Sequence, residues 1–153
     1  MNRDEFAREI QSKNIKRIYV LEGEEEYLKK LGLDYAIKTF INEDFRDLNI
    51  SYLNNPDVQT LIETAQIQPL MSDYRFVIVN DLALLGSVAN KGKETKGKKV
   101  DTKKAPKDDA DILINYIDEI PEYTVIFILI KAYADSRKKL TQAIINNESL
   151  VSF

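Results

Sequence analysis

The 153-residue sequence contains neither cysteine nor histidine. Without cysteine there is no disulfide and no thiolate metal site. Without histidine the commonest general base and the commonest zinc ligand are gone. Ser-His-Asp, Cys-His and HExxH chemistry are therefore excluded together. Long apolar runs are missing as well. The longest, Val125 to Ile130, is far shorter than the ~20 residues a membrane-spanning helix needs. The chain is charged from its first residues (Arg3, Asp4, Glu5, Arg8, Glu9), so no signal peptide is read there. A large excess of one charge is also lacking. The net charge is −3, and nothing global calls for nucleic acid or membrane. A cytoplasmic protein with no metal and no cofactor is the expectation.

What is present suffices for one core. Hydrophobic residues make up 44% of the chain, and the length suits a single domain over 1–153. Apolar strand patterns alternate with helical ones. Helices are expected over about 3–13, 24–42, 57–67, 108–119 and from the cap Asp135-Ser136 to about Asn147. In the second, Leu28, Leu31, Tyr35, Ala36 and Phe40 fall near helical spacing. Strands are expected at about 16–21, 49–53, 75–79, 123–130 and 150–153. Arg75-Phe76-Val77-Ile78-Val79 is continuously apolar after its arginine, as a strand buried on both faces is. This order predicts a three-layer α/β fold: a mostly parallel five-stranded sheet with helices on both faces. Ending on a strand suggests a domain of a longer protein.

The first strand leads into Glu22-Gly23-Glu24-Glu25-Glu26-Tyr27 and then into helix. Strand, glycine turn and helix is the geometry that cradles nucleotide phosphates. Laid on G-x-x-x-x-G-K-[ST], Gly23 and Lys29 match, but Leu28 replaces the second glycine and Lys30 the Ser/Thr. Glu24, Glu25 and Glu26 would face a polyphosphate with like charge, and no hydroxyl is placed for Mg²⁺. The loop reads as a degenerate phosphate loop. The plainer reading keeps equal weight: acids that favour the positive end of a helix. Asn80-Asp81 closes the central apolar strand, so Asp81 echoes a Walker B acid, although turn chemistry explains it as well. Asp81, a glutamate and Lys131 could also form a phosphoacceptor pocket, a weaker reading.

Residues 88–108 change character. Eight lysines lie between 91 and 107 against Glu94 and Asp101, about +6, which leaves about −9 for the rest. This reads as a disordered insertion, and contact with a nucleic-acid backbone is the weaker alternative. A second candidate site is Gln68-Pro69-Leu70-Met71-Ser72, two large apolar residues in a helix-to-strand connection. They could anchor a partner or fold back onto the domain's own core.

Four stretches together resemble the delta subunit of bacterial DNA polymerase III. They are Ile18 to Leu28, Asp44 to Asn49, Ala65 to Val79 and Asp135 to Leu140. The resemblance implies a DNA-replication protein with an AAA+-type first domain whose phosphate loop is degenerate. It implies a clamp-loader subunit that binds the sliding clamp (the beta subunit) and springs its ring open without hydrolysing ATP. The subunit belongs to the DNA polymerase III holoenzyme, classed as a DNA-directed DNA polymerase. Its clamp-contacting pair matches Leu70 and Met71, flanked by Gln68 and Pro69, with Met71 where members often carry Phe. Contacts to other clamp-loader subunits would come through further domains. The competing reading is an active P-loop-type nucleotide phosphohydrolase using Gly23, Lys29 and Asp81.

Overall fold

A computed structural model describes residues 1–86, 88 and 107–153. The Lys-rich insertion expected at 88–108 falls mostly outside these residues. At its borders, Val88 bridges Tyr133 in antiparallel fashion, and Lys107 opens a helix.

Among the described residues five strands form one sheet: β1 (Ile18–Glu22), β2 (Ile50–Asn54), β3 (Arg75–Asn80), β4 (Thr124–Leu129) and β5 (Leu150–Ser152). Their order is β2-β3-β4-β1-β5, and every pairing is parallel. The central strands β1, β3 and β4 have no polar face. Their side chains alternate between two cores, Ile18 and Val20 to one, Tyr19 and Leu21 to the other. That is the period-2 geometry of a strand covered on both sides.

Helices α4 (Val58–Ala65), α5 (Lys107–Ile117) and α6 (Lys139–Asn146) supply the first core through Leu61, Leu113, Tyr116 and Ile144. Helices α1 (Arg3–Gln11) and α2 (Glu26–Phe40) supply the second through Phe6, Ile10, Leu33 and Ile37. A one-turn helix, α3 (Arg46–Asn49), leads into β2. The three-layer α/β expectation holds, with the sheet wholly rather than mostly parallel.

Three local expectations are corrected. Helix α2 starts at Glu26, not Glu24, so only one of the three glutamates lies in its first turn. Its buried stripe is Lys29, Leu33, Ala36 and Ile37, whereas Leu31 and Tyr35 are exposed. Of the apolar spacing Ala36 is buried and Phe40 packs against the core, while Leu31 and Tyr35 fall outside the stripe that the buried Lys29 helps to define. Helix α6 begins at Lys139 and has no side-chain cap. Asp135 instead turns its carboxylate to the backbone N–H and guanidinium of Arg137.

Candidate functional site

The two candidate segments sit at opposite ends of the sheet. Parallel strands place Glu22 to Glu26 and Asp81 at the carboxyl ends, and the connection 66–74 at the amino end of β3.

At the carboxyl end, Gly23 takes φ +119°, where L side chains are strained. A β-carbon there would stand 2.3 Å from the Phe153 carbonyl oxygen. Its N–H donates to the Ala132 oxygen at 2.6 Å. Lys29 is fully buried. Its ammonium donates to the Ile130 carbonyl at 2.7 Å and to Glu26 Oε1 at 2.6 Å. A buried lysine needs such partners for its charge; here they are a buried carbonyl and the carboxylate of Glu26, itself exposed. Glu22, also buried, accepts from the Ala134 N–H at 3.0 Å and the Ser152 hydroxyl at 2.7 Å. Glu24 and Glu25 are exposed.

Asp81 is exposed and holds φ +68°. Its N–H donates to the Leu129 carbonyl at 2.8 Å and so continues the pairing of β3 with β4. Lys131 is exposed. The phosphoacceptor reading needs the ends of β1 and β3 side by side, as in flavodoxin-like sheets. Here β4 lies between them.

At the amino end, α4 stops at Ala65. The Thr124 hydroxyl donates to the Ala65 carbonyl at 2.7 Å, and the Tyr123 hydroxyl to that of Gln66 at 3.0 Å. These bonds satisfy carbonyls that every helix terminus leaves open. Gln68 is exposed and Pro69 half-buried. Leu70 and Met71 then project outward, 55% and 77% exposed. They do not fold back onto the core. Met71 adopts φ +55°, a left-handed conformation uncommon for a side-chain-bearing residue. The Ser72 hydroxyl bonds the backbone of Tyr74.

Sequence reasoning missed the residue beneath this loop. Asn49 reads as the first residue of a strand, but it ends α3 and is fully buried. Its amide donates to the Phe45 and Leu70 carbonyls and accepts from the Leu70 N–H. Arg75, also buried, donates to the Leu48 carbonyl at 3.0 Å and to the Ser51 hydroxyl. Burial holds its guanidinium below the ordinary arginine value. For Arg75 the sequence carries a signal, a guanidinium opening an otherwise apolar strand; for Asn49, at a polar position of an alternating pattern, it carries none.

Residues 19–153 match the sequence model of the DNA polymerase III, delta subunit family. The chain belongs to that family. It is 30% identical over 131 residues to the DNA polymerase III subunit delta of Bacillus subtilis (strain 168), covering 83% of this chain and 34% of that protein. The chain thus spans about a third of that relative's length. Among solved structures it is similar to the Bacillus subtilis DNA clamp loader delta protein, with a TM-score of 0.77 and 22% identity. That match covers 99% of this chain and 42% of the other. A DNA polymerase III gamma subunit-related protein from Thermotoga maritima matches with a TM-score of 0.57 and 15% identity, over 99% of this chain and 45% of its own. These two likenesses bear on the fold alone, which this chain shares with both structures. The family is that of a subunit of DNA polymerase III. No helix among the described residues is long and apolar enough to cross a membrane.

Proposed function

We propose that this chain is a non-catalytic clamp-loader module that binds the DNA sliding clamp through Leu70 and Met71 and helps open its ring. The observation that carries the reading is an exposed pair of large apolar side chains on a bonded backbone. Leu70 and Met71 stand out from a loop whose main chain is held by Asn49. Such a pair suits an apolar pocket on a partner, where a few buried groups carry most of the affinity. Met71 is flexible enough to fill a pocket shaped for a larger side chain. Ring opening then follows from differential affinity: the module shifts the clamp only as far as it binds the open interface better than the closed one.

The carboxyl end supports the absence of nucleotide chemistry. A phosphohydrolase using Gly23, Lys29 and Asp81 needs the lysine free to reach a phosphate. Here its ammonium is held by Ile130 and Glu26, and Glu24 and Glu25 add like charge at the mouth. The degenerate loop serves as structure, with no cofactor and no metal. Contacts with other clamp-loader subunits run through parts of the protein beyond this chain, and the module works in the cytoplasm.

Calorimetry against a bacterial sliding clamp tests the reading, with wild type beside Leu70→Ala/Met71→Ala and circular dichroism on both. Binding by the wild type that is lost in a folded double variant is expected. Equal binding by both would move the site elsewhere. No binding by the wild type, or saturable Mg²⁺-ATP binding that is lost on Lys29→Ala, would sink the proposal.

A further inference from the structure

We infer that Asn49 is a positioning residue for clamp capture: its buried amide fixes the Leu70 peptide and thereby aims Leu70 and Met71 outward as a preformed anchor. The inference rests on the clamp reading above and names the residue through which that site is organised.

The geometry is a peptide-like pairing made by a side chain. Asn49 Oδ1 accepts the Leu70 N–H at 2.8 Å, and Nδ2 donates to the Leu70 carbonyl at 2.8 Å. The two bonds take both backbone polar groups of Leu70, on the two peptide planes that flank its α-carbon, and so fix orientation as well as distance. The second N–H of the same amide goes to the Phe45 carbonyl at 2.9 Å, so both donors of the side chain are in use. Asn49 is fully buried and cannot exchange these partners for water. Its own platform is held in turn, since Arg75 donates to the Leu48 carbonyl one residue earlier.

The consequence appears at the next residue. Met71 sits at φ +55°, a conformation that persists where the surroundings over-determine it. The Leu70 peptide is held on one side by Asn49, and the chain on the other by the Ser72–Tyr74 turn. Between these two fixtures Leu70 has its backbone spent inward, and the side chains of Leu70 and Met71 stand in solvent. A free connection between α4 and β3 would sample many conformations. A partner would then bind only the fraction that presents both side chains together, which lowers apparent affinity in proportion. Holding the loop in advance removes that cost.

The experiment compares wild type, Asn49→Ala and Asn49→Asp by clamp calorimetry and residue-resolved amide exchange. Asn49→Asp keeps the shape and the acceptor for the Leu70 N–H but loses both donors. Thr141→Val is the control, because it removes the buried bond from the Thr141 hydroxyl on α6 to the Leu85 carbonyl, away from the loop. Both Asn49 variants are expected to bind the clamp about tenfold more weakly or worse, with Leu70 amide exchange faster by a similar factor. Thr141→Val should lose stability while keeping wild-type affinity. Wild-type affinity in a folded Asn49 variant, beside lost binding in Leu70→Ala/Met71→Ala, would overturn the positioning role and leave the anchor intact. Weakened binding in Thr141→Val to the same degree would also overturn it, since stability alone would then explain the loss. Absence of wild-type binding would remove anchor and positioning together.

Discussion

At the carboxyl ends of β1 and β4 a charged side chain is buried and answered from within. Lys29 meets Ile130 and Glu26, and Glu22 meets Ala134 and Ser152. At the amino ends of β2 and β3 the pattern is reversed. There a buried amide is spent on the backbone of a loop, a buried guanidinium braces the helix that carries that amide, and apolar side chains are left outside. The first arrangement closes a place where α/β sheets usually take ligands. The second builds a surface where they usually do not. Motif position alone would have sent attention to the first. The partners of each polar group decide between them, because a polar group already satisfied inside the molecule has little left to offer a ligand.

The sharpest way to break this contrast is at the closed end. Lys29→Ala is expected to cost about 3 kcal/mol, from the cavity left by a fully buried stem and the orphaned Ile130 carbonyl. Gly23→Ala should cost a similar ~3 kcal/mol, since it adds backbone strain at φ +119° and a clash with Phe153. Urea unfolding reads both. If Lys29 were a free phosphate ligand, its alanine variant would stay within about 0.5 kcal/mol of wild type, as exposed substitutions do. At the open end the expectation is inverted. Leu70→Ala/Met71→Ala should shift stability by less than about 0.5 kcal/mol while weakening clamp binding by about 100-fold, the loss of roughly 3 kcal/mol of apolar burial. Thr124→Val, which leaves the Ala65 carbonyl at the end of α4 unpaired, should cost about 1 kcal/mol.

Much of the fold was legible because strands buried on both faces announce themselves. Val77 and Val79 in β3 and the run from Val125 in β4 needed no context. The rest depended on partners far away in sequence. Nothing in Glu26-Tyr27-Leu28-Lys29 says that the lysine turns inward to a carbonyl at position 130. The apolar spacing of α2 therefore includes Leu31 and Tyr35, which are exposed, and omits Lys29, which is buried. The position of the Leu70-Met71 pair was legible as a proline-bounded apolar couple in a connection. Its exposure was not, because periodicity carries no information inside a loop. Asn49 was hidden for a simpler reason: its Leu70 partner lies 21 residues on, and a buried amide looks like any turn residue until that partner is seen.

The smallest expected effect concerns what holds the closed end shut. The segment after β4 supplies the Ala132 oxygen to Gly23 and the Ala134 N–H to Glu22, and it is followed directly by Asp135. This carboxylate is buried and accepts from the Arg137 N–H at 3.0 Å and from its guanidinium at 3.0 and 2.9 Å. The Arg137 hydrogen bonds hold its pKa below the ordinary 3.8, against the opposing effect of burial. A carboxyl depressed in the folded state stabilises above its unfolded value and loses that contribution as pH falls through the folded one. The gain is therefore fully present at pH 7 and disappears on acidification below about 4. Half of the pair is in solvent, since the Arg137 side chain is 54% exposed, so screening limits the contribution to about 1 kcal/mol or less. Asp135→Asn should unfold at lower urea than wild type at pH 7, with the gap closing toward pH 3. A gap that stayed constant across that range would show that Asp135 acts by shape alone, and that the seal over Gly23 owes nothing to its charge.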